Sequence, residues 1–123
     1  MASMNSVLLS GKLARDVEIR RTTGGTAVAD LAVSVMDRVK NKNGEVFDKE
    51  TLLEVVVWAR QAETCAEYLR KGSPVLVEGR LHTEKWETQQ GEKRQRLRIR
   101  AERVQFLPDS RKGATDRPAP TGA

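Results

Sequence analysis

The sequence predicts an all-β domain: a five-stranded barrel with one short helix between strands three and four, followed by a disordered C-terminal tail. Three observations carry that expectation. Apolar residues alternate with period two in five segments between Ser6 and Ala101, and a helical period falls between the third and fourth of them. Gly79 interrupts the fourth segment, where a strand must bend sharply if a small sheet is to close. From Pro108 onward Pro, Gly, Ala and Thr dominate and the alternation stops, a composition that cannot bury enough apolar surface to fold.

Ser6 to Leu13 opens the domain as a strand, and Val17 to Arg21 continues it after a break at Ala14, Arg15 and Asp16. Paired glycines in Thr22 to Thr26 permit the positive φ angles of a hairpin turn. Ala27, Ala29, Leu31, Val33 and Val35 form the buried face of a second strand, and Lys40 to Glu45 reads as a mobile polar loop. The third strand, Thr51 to Trp58, carries Leu53, Val55 and Val57 on one face, for either the core or a subunit contact. Leu52, Glu54, Val56 and Trp58 lie on its other face. Ala62, Cys65, Ala66 and Leu69 recur at helical spacing, so Arg60 to Leu69 is a short amphipathic helix with Gly72 placed for a left-handed cap. Pro74 to about Trp86 is the fourth strand, and Gln89-Gln90-Gly91 turns the chain into a fifth that starts at Lys93. This order matches a small closed barrel of the OB type, with an open α+β sheet as the alternative. The length suits one domain, residues 1–107, with the tail at 108–123.

The net charge is +5, and residues 93–103 hold Lys93, Arg94, Arg96, Arg98, Arg100 and Arg103 against Glu102 alone. Leu97, Ile99 and Ala101 alternate with Arg96, Arg98 and Arg100, which predicts a core face backed by a solvated row of guanidinium groups about 6–7 Å apart. That is close to phosphate spacing. Trp86, flanked by Glu84, Lys85 and Glu87, has few apolar neighbours to bury it and is read as a ligand-facing aromatic. A cationic row beside a tryptophan can hold phosphates and stack bases together. The alternation leaves Trp58 open, either as a core aromatic or as a second platform.

Other chemistry finds little support. His82 has no companion at metal-ligand spacing, and Cys65 lies on the inward helix face, where a small core residue is expected. Glu45, Asp48, Glu50 and Glu54 cluster in sequence without a metal-pair pattern and read as solvated charge. Gly24-Gly25 is followed by no Gly-Lys-Ser/Thr and is not a phosphate loop. No cofactor is expected and no catalytic constellation is present, which argues against a small nuclease. A lone cysteine, no secretory pattern and no membrane-length apolar run suggest a reducing, intracellular setting.

Asn5-Ser6-Val7-Leu8-Leu9-Ser10-Gly11-Lys12-Leu13, Asp16 to Arg20, the stretch Glu67 to Leu81, and Lys85-Trp86 with the turn up to Gly91 resemble the bacterial single-stranded DNA-binding protein family. The resemblance spans Asn5 to Leu107. It implies an OB fold, a homotetramer, a cytoplasmic, nucleoid-associated setting, and binding of single-stranded DNA without sequence preference in replication, recombination and repair. Weak binding of RNA is a separate expectation, with the preference between DNA and RNA left open. The DNA-binding residues expected on the residue reading and the resemblance together are Trp58, Trp86, Arg20, Arg21, Arg80, Lys85, Lys93, Arg94, Arg96, Arg98 and Arg100. Trp86 matches a stacking aromatic of the family, and Trp58 falls where Phe is usual. Leu52 and, roughly, Val39 replace further aromatics, and Glu54 replaces an often basic residue. The family's tail ends in an acidic, hydrophobic tip that recruits replication and repair proteins, whereas Asp116 to Ala123 holds no acidic run. The alternative function is an OB-fold primosome accessory protein acting mainly through protein contacts.

Overall fold

A computed structural model describes residues 3–108. It contains β1 (Val7–Leu13), β2 (Glu18–Arg21), β3 (Ala27–Lys40), β4 (Val46–Trp58), α1 (Ala59–Tyr68), β5 (Pro74–Glu87) and β6 (Lys93–Phe106). The sheet runs β1-β5-β6-β4-β3-β2, and β1 also pairs with β3 through Lys12–Ser34 and Leu13–Val33, so five strands close into a barrel. β2 hydrogen-bonds to β3 alongside that seam, as the continuation of the first strand. The predicted all-β OB-type barrel, with its helix before the fourth barrel strand, is the observed one. The expected tail lies outside the described residues beyond Pro108.

Leu13, Ala27, Ala29, Leu31, Val33, Val55, Val57, Val75, Val77, Ile99 and Val104 fill the barrel, and Ala62 and Cys65 of α1 plug it together with Leu69 just past the helix end. Val55 and Val57 therefore belong to the core, so the apolar face of this strand is not left over for a subunit contact. Burial pushes the Cys65 thiol up to about 11, as a small core residue requires. Leu69 ends the helix in extended conformation, and the positive φ of Gly72 serves the following turn rather than the cap itself. Gly79 sits at a break in the β5–β6 register, where a Cβ would lie 2.2 Å from the Arg100 carbonyl oxygen. Two residues of the resemblance act as clamps. Asn5 brackets the Leu81 backbone at 3.0 and 2.8 Å, and the Asp16 carboxylate accepts from the Lys71 N–H at 2.7 Å.

The hairpins reach further than the alternation suggested. β3 and β4 continue as a ribbon to Lys40 and from Val46, and Lys40 to Glu45 is not a loose loop but a hydrogen-bonded turn. Three turns share one chemistry, at Thr22–Thr26, Asn41–Glu45 and Thr88–Glu92. In each, the first residue's N–H donates to the fifth residue's carbonyl at 2.8–2.9 Å, and its side-chain oxygen accepts from the fifth N–H. The fourth residue, Gly25, Gly44 or Gly91, has a φ of 85–89°, which glycine adopts without steric cost.

Candidate nucleic-acid interface

The outer face of the sheet gathers most of the expected residues from four strands, but strand alternation puts Lys85 and Lys93 on the opposite face of the β5–β6 ribbon and turns Arg21 away. Antiparallel partners share a face, so β5 presents Arg80, His82, Glu84 and Trp86 opposite Arg100, Arg98, Arg96 and Arg94 of β6. β4 adds Glu54, Val56 and Trp58, and β3 adds Val28, Asp30 and Ala32. Both tryptophans are partly open, Trp58 at 39% and Trp86 at 46% exposure. Trp58 is therefore not a core aromatic. Each lies under a guanidinium: Arg100 is 5.5 Å from the Trp58 ring and Arg96 is 5.8 Å from Trp86. An arginine over a half-exposed indole is a favourable cation–π contact and a place for a base to stack.

The solvated arginine row is corrected at its centre. Arg98 has a side chain only 3% exposed, and it donates to Asp30 at 2.6 Å and Glu84 at 3.1 Å. Arg96 reaches Glu84 at 3.0 Å and Glu54 at 3.5 Å, and Arg20 reaches Asp30 at 3.1 Å. Arg20, Arg96 and Arg98 thus stand against Asp30, Glu54 and Glu84, and the middle of the face carries no net charge. Burial by itself would raise the Asp30 carboxyl, but hydrogen bonds from Arg20 and Arg98 outweigh it and hold it below the usual carboxylate range. Glu84 is lowered in the same way against its own desolvation, through Arg96 and Arg98. Leu97, expected in the core, is instead exposed, because β6 before Arg98 runs beyond the barrel as a ribbon with β5.

The remaining basic residues divide. Arg21 faces away from Arg20 and pairs with Glu63 at 3.4 Å. Arg80 pairs with Glu102 at 3.1 Å and Arg94 with Glu92 at 2.8 Å, exposed contacts that a phosphate can replace at small cost. Lys85, Lys93 and Arg100 have no carboxylate within ion-pair distance among the described residues. Lys85 and Lys93 line one cavity with Trp86 and Arg94, while Arg100 lines another with Trp58 and Arg80. Glu50, Asp48 and Glu54 are strand residues rather than loop charge, with Glu50 bonded to Ser34 and Asp48 facing Arg38. His82 lies on the outer face opposite Arg98, and among the described residues no three His, Cys, Asp or Glu side chains converge as a metal site requires. No described helix is long and apolar enough to cross a membrane.

Sequence reasoning missed the carboxylate partners, Asp30 above all. Its signal was present, since Asp30 is the one polar residue in the otherwise apolar run Ala27 to Val33. Phe47, exposed on the β3–β4 ribbon opposite Val39, was also missed.

The description "Single-strand binding protein family" matches residues 4–107. A single-stranded DNA-binding protein of Helicobacter hepaticus is 40% identical over 93% of this chain and 66% of its own length. That of Bacillus subtilis, protein A, is 41% identical over 85% of this chain and 59% of its own. The chain thus spans somewhat under two thirds of the length of these relatives. Among solved structures, a deletion mutant of the single-stranded DNA binding protein from Thermus aquaticus superposes with a TM-score of 0.77 at 32% identity, covering 85% of this chain and 51% of that one. The Plasmodium falciparum SSB in complex with ssDNA gives 0.79 at 27% identity, covering 88% of this chain and 98% of the other. With barrel, helix position and sequence in agreement across residues 4–107, the chain belongs to the single-strand binding protein family.

Proposed function

We propose that the chain binds single-stranded DNA without a fixed target sequence, coating and protecting it in replication, recombination and repair, and that it does so without catalysis. The observation that supports this best is the pair of half-exposed tryptophans on one sheet face, each under an arginine. Bases stack on the two indoles, while Arg100 and the weakly paired Arg80 and Arg94 neutralise phosphates on the same face, and Lys85 and Lys93 add positive charge from the other face of the ribbon that carries Trp86. The homotetramer rests on family membership and not on any exposed strand face. RNA binds by the same stacking and charge, more weakly. The neutralised centre of the arginine row favours a second reading, an accessory OB-fold protein that works mainly through protein contacts. Titration with oligo(dT) while following tryptophan fluorescence separates the two. Strong quenching, with occlusion of several nucleotides per protomer, supports the first. Unchanged fluorescence at micromolar protein and low salt would rule it out.

A further inference from the structure

We propose that the cleft between α1 and the outer edge of β6 docks a short, extended, acidic peptide segment of a partner protein. Gln61 borders both this cleft and the cavity at Trp58, and the inference does not rest on the DNA-binding reading.

β4 neighbours β6 only through Val55–Ile99 and Val56–Arg100, whereas β5 pairs with β6 as far as Phe106. From Ala101 to Phe106, therefore, one edge of β6 is bonded to β5, and no described strand covers the other, which faces α1. A bare sheet edge is a template for another backbone. The first step of this edge is already filled by a side chain that imitates a peptide unit. The Gln61 amide donates to the Glu102 carbonyl at 3.0 Å and accepts from the Val104 N–H at 3.1 Å. Groups on one edge of a strand recur at every second residue. The Val104 C=O and the Phe106 N–H thus point the same way, an acceptor and then a donor with no described strand opposite them.

Beside that edge opens a cleft of about 360 Å³. Val104 and Phe106 give it an apolar wall, which the Tyr68 ring extends at 6.2 Å from Phe106, with 63% of the residue exposed. Arg60 and Arg103 supply its charge, and no carboxylate is among its lining residues. Arg60 is exposed and has no ion-pair partner among the described residues, and Arg103 reaches Glu78 only at 3.9 Å. Two available guanidinium groups around an apolar wall suit an occupant with carboxylates and an apolar side chain. The edge decides its class. A peptide carries donors and acceptors in alternation and meets both the Val104 C=O and the Phe106 N–H. A phosphodiester backbone offers acceptors alone and would set its oxygens against the Val104 carbonyl. The chain's own residues 109–123 match poorly by charge, since Arg111, Lys112 and Arg117 outnumber Asp109 and Asp116.

The test titrates the whole chain with a labelled hexapeptide of alternating Asp and Ile, followed by fluorescence anisotropy and by backbone amide chemical shifts. The peptide should bind, with the shifts concentrated at Thr64, Val104 and Phe106. The same peptide N-methylated along its backbone keeps its carboxylates but loses its donors, and should bind about three- to tenfold more weakly, the worth of one hydrogen bond. The double variant Arg60→Gln, Arg103→Gln should lose about four- to twentyfold in affinity for the unmodified peptide, two exposed ion pairs at two- to fivefold each. Absence of binding at millimolar peptide, full affinity after N-methylation or in the double variant, or shifts confined to the surroundings of Trp58 and Trp86 overturns the inference. Oligo(dT) that shifts the Val104 and Phe106 amides as far as the peptide does also overturns it, and assigns the cleft to the DNA path. The N-methylation comparison uses the wild-type chain, so misfolding of the double variant would not remove the test.

Discussion

Arg98 separates a structural guanidinium from a phosphate-binding one, and its replacement by alanine gives the sharpest prediction. The side chain is 3% exposed and bonds to Asp30 and Glu84, with Glu54 further off at 3.6 Å. Removing it leaves the Asp30 and Glu84 carboxylates short of their counter-charge. Breaking a buried pair costs roughly 3–5 kcal/mol; Asp30 keeps Arg20 and Glu84 keeps Arg96, and both carboxylates retain some water, which brings the loss to about 2–4 kcal/mol. For a domain of this size each kcal/mol moves Tm by roughly 4–8 °C, so Arg98→Ala should melt about 10–25 °C below wild type at equal protein concentration. Urea unfolding should show a lower midpoint at unchanged slope. In the folded variant, the dependence of log K for oligo(dT) on log[salt] should match wild type, because Arg98 reaches no phosphate. Arg100→Ala is the counterpart: nearly unchanged in stability, with a slope flatter by about 0.7. If Arg98→Ala melts with wild type and its slope drops by that amount instead, the buried-cluster account is wrong.

Trp86→Ala should weaken oligo(dT) binding by roughly 1–3 kcal/mol, with an unaltered salt slope because Arg96 stays paired to Glu84; equal affinity by fluorescence anisotropy would dismiss Trp86 as a platform. Ala59 opens α1 with a φ of 59°, where an L side chain is strained. Ala59→Gly should therefore stabilise the domain by about 1 kcal/mol in chemical denaturation, and a loss of stability would contradict the strain. Asp30 and Glu84 titrate below their ordinary 3.8 and 4.5 when folded, so the unfolded chain takes up protons first as pH falls. Their stabilisation should be complete above about pH 4.5 and lost progressively below it, and Asp30→Asn should flatten that part of a Tm-versus-pH curve.

Much of the barrel was legible in the sequence because it is specified by neighbours along the chain. Alternation placed Ala27, Ala29, Leu31 and Val33 inside and put Val55 and Val57 on one apolar face that the barrel then claimed for its core, helical spacing placed Ala62, Cys65 and Leu69 on the inward side, and Gly79 marked the bulge. The resemblance supplied the tryptophans as platforms, and their exposure agrees with that role. The ribbon extensions at Met36 to Lys40 and Val46 to Glu50 were missed because, with both faces in water, they show no apolar alternation. The charge on the binding face was beyond reach for another reason. Period two showed that Arg96, Arg98 and Arg100 share a face, but a guanidinium's environment depends on which strand lies beside it. Only closure of the barrel, with β4 parallel to β6 and β3 alongside, brings Asp30 and Glu54 against Arg98, from which they lie 68 and 44 positions away in sequence. Charge balance at a surface is fixed by these non-local approaches over a few ångströms, and a one-dimensional pattern carries no record of them.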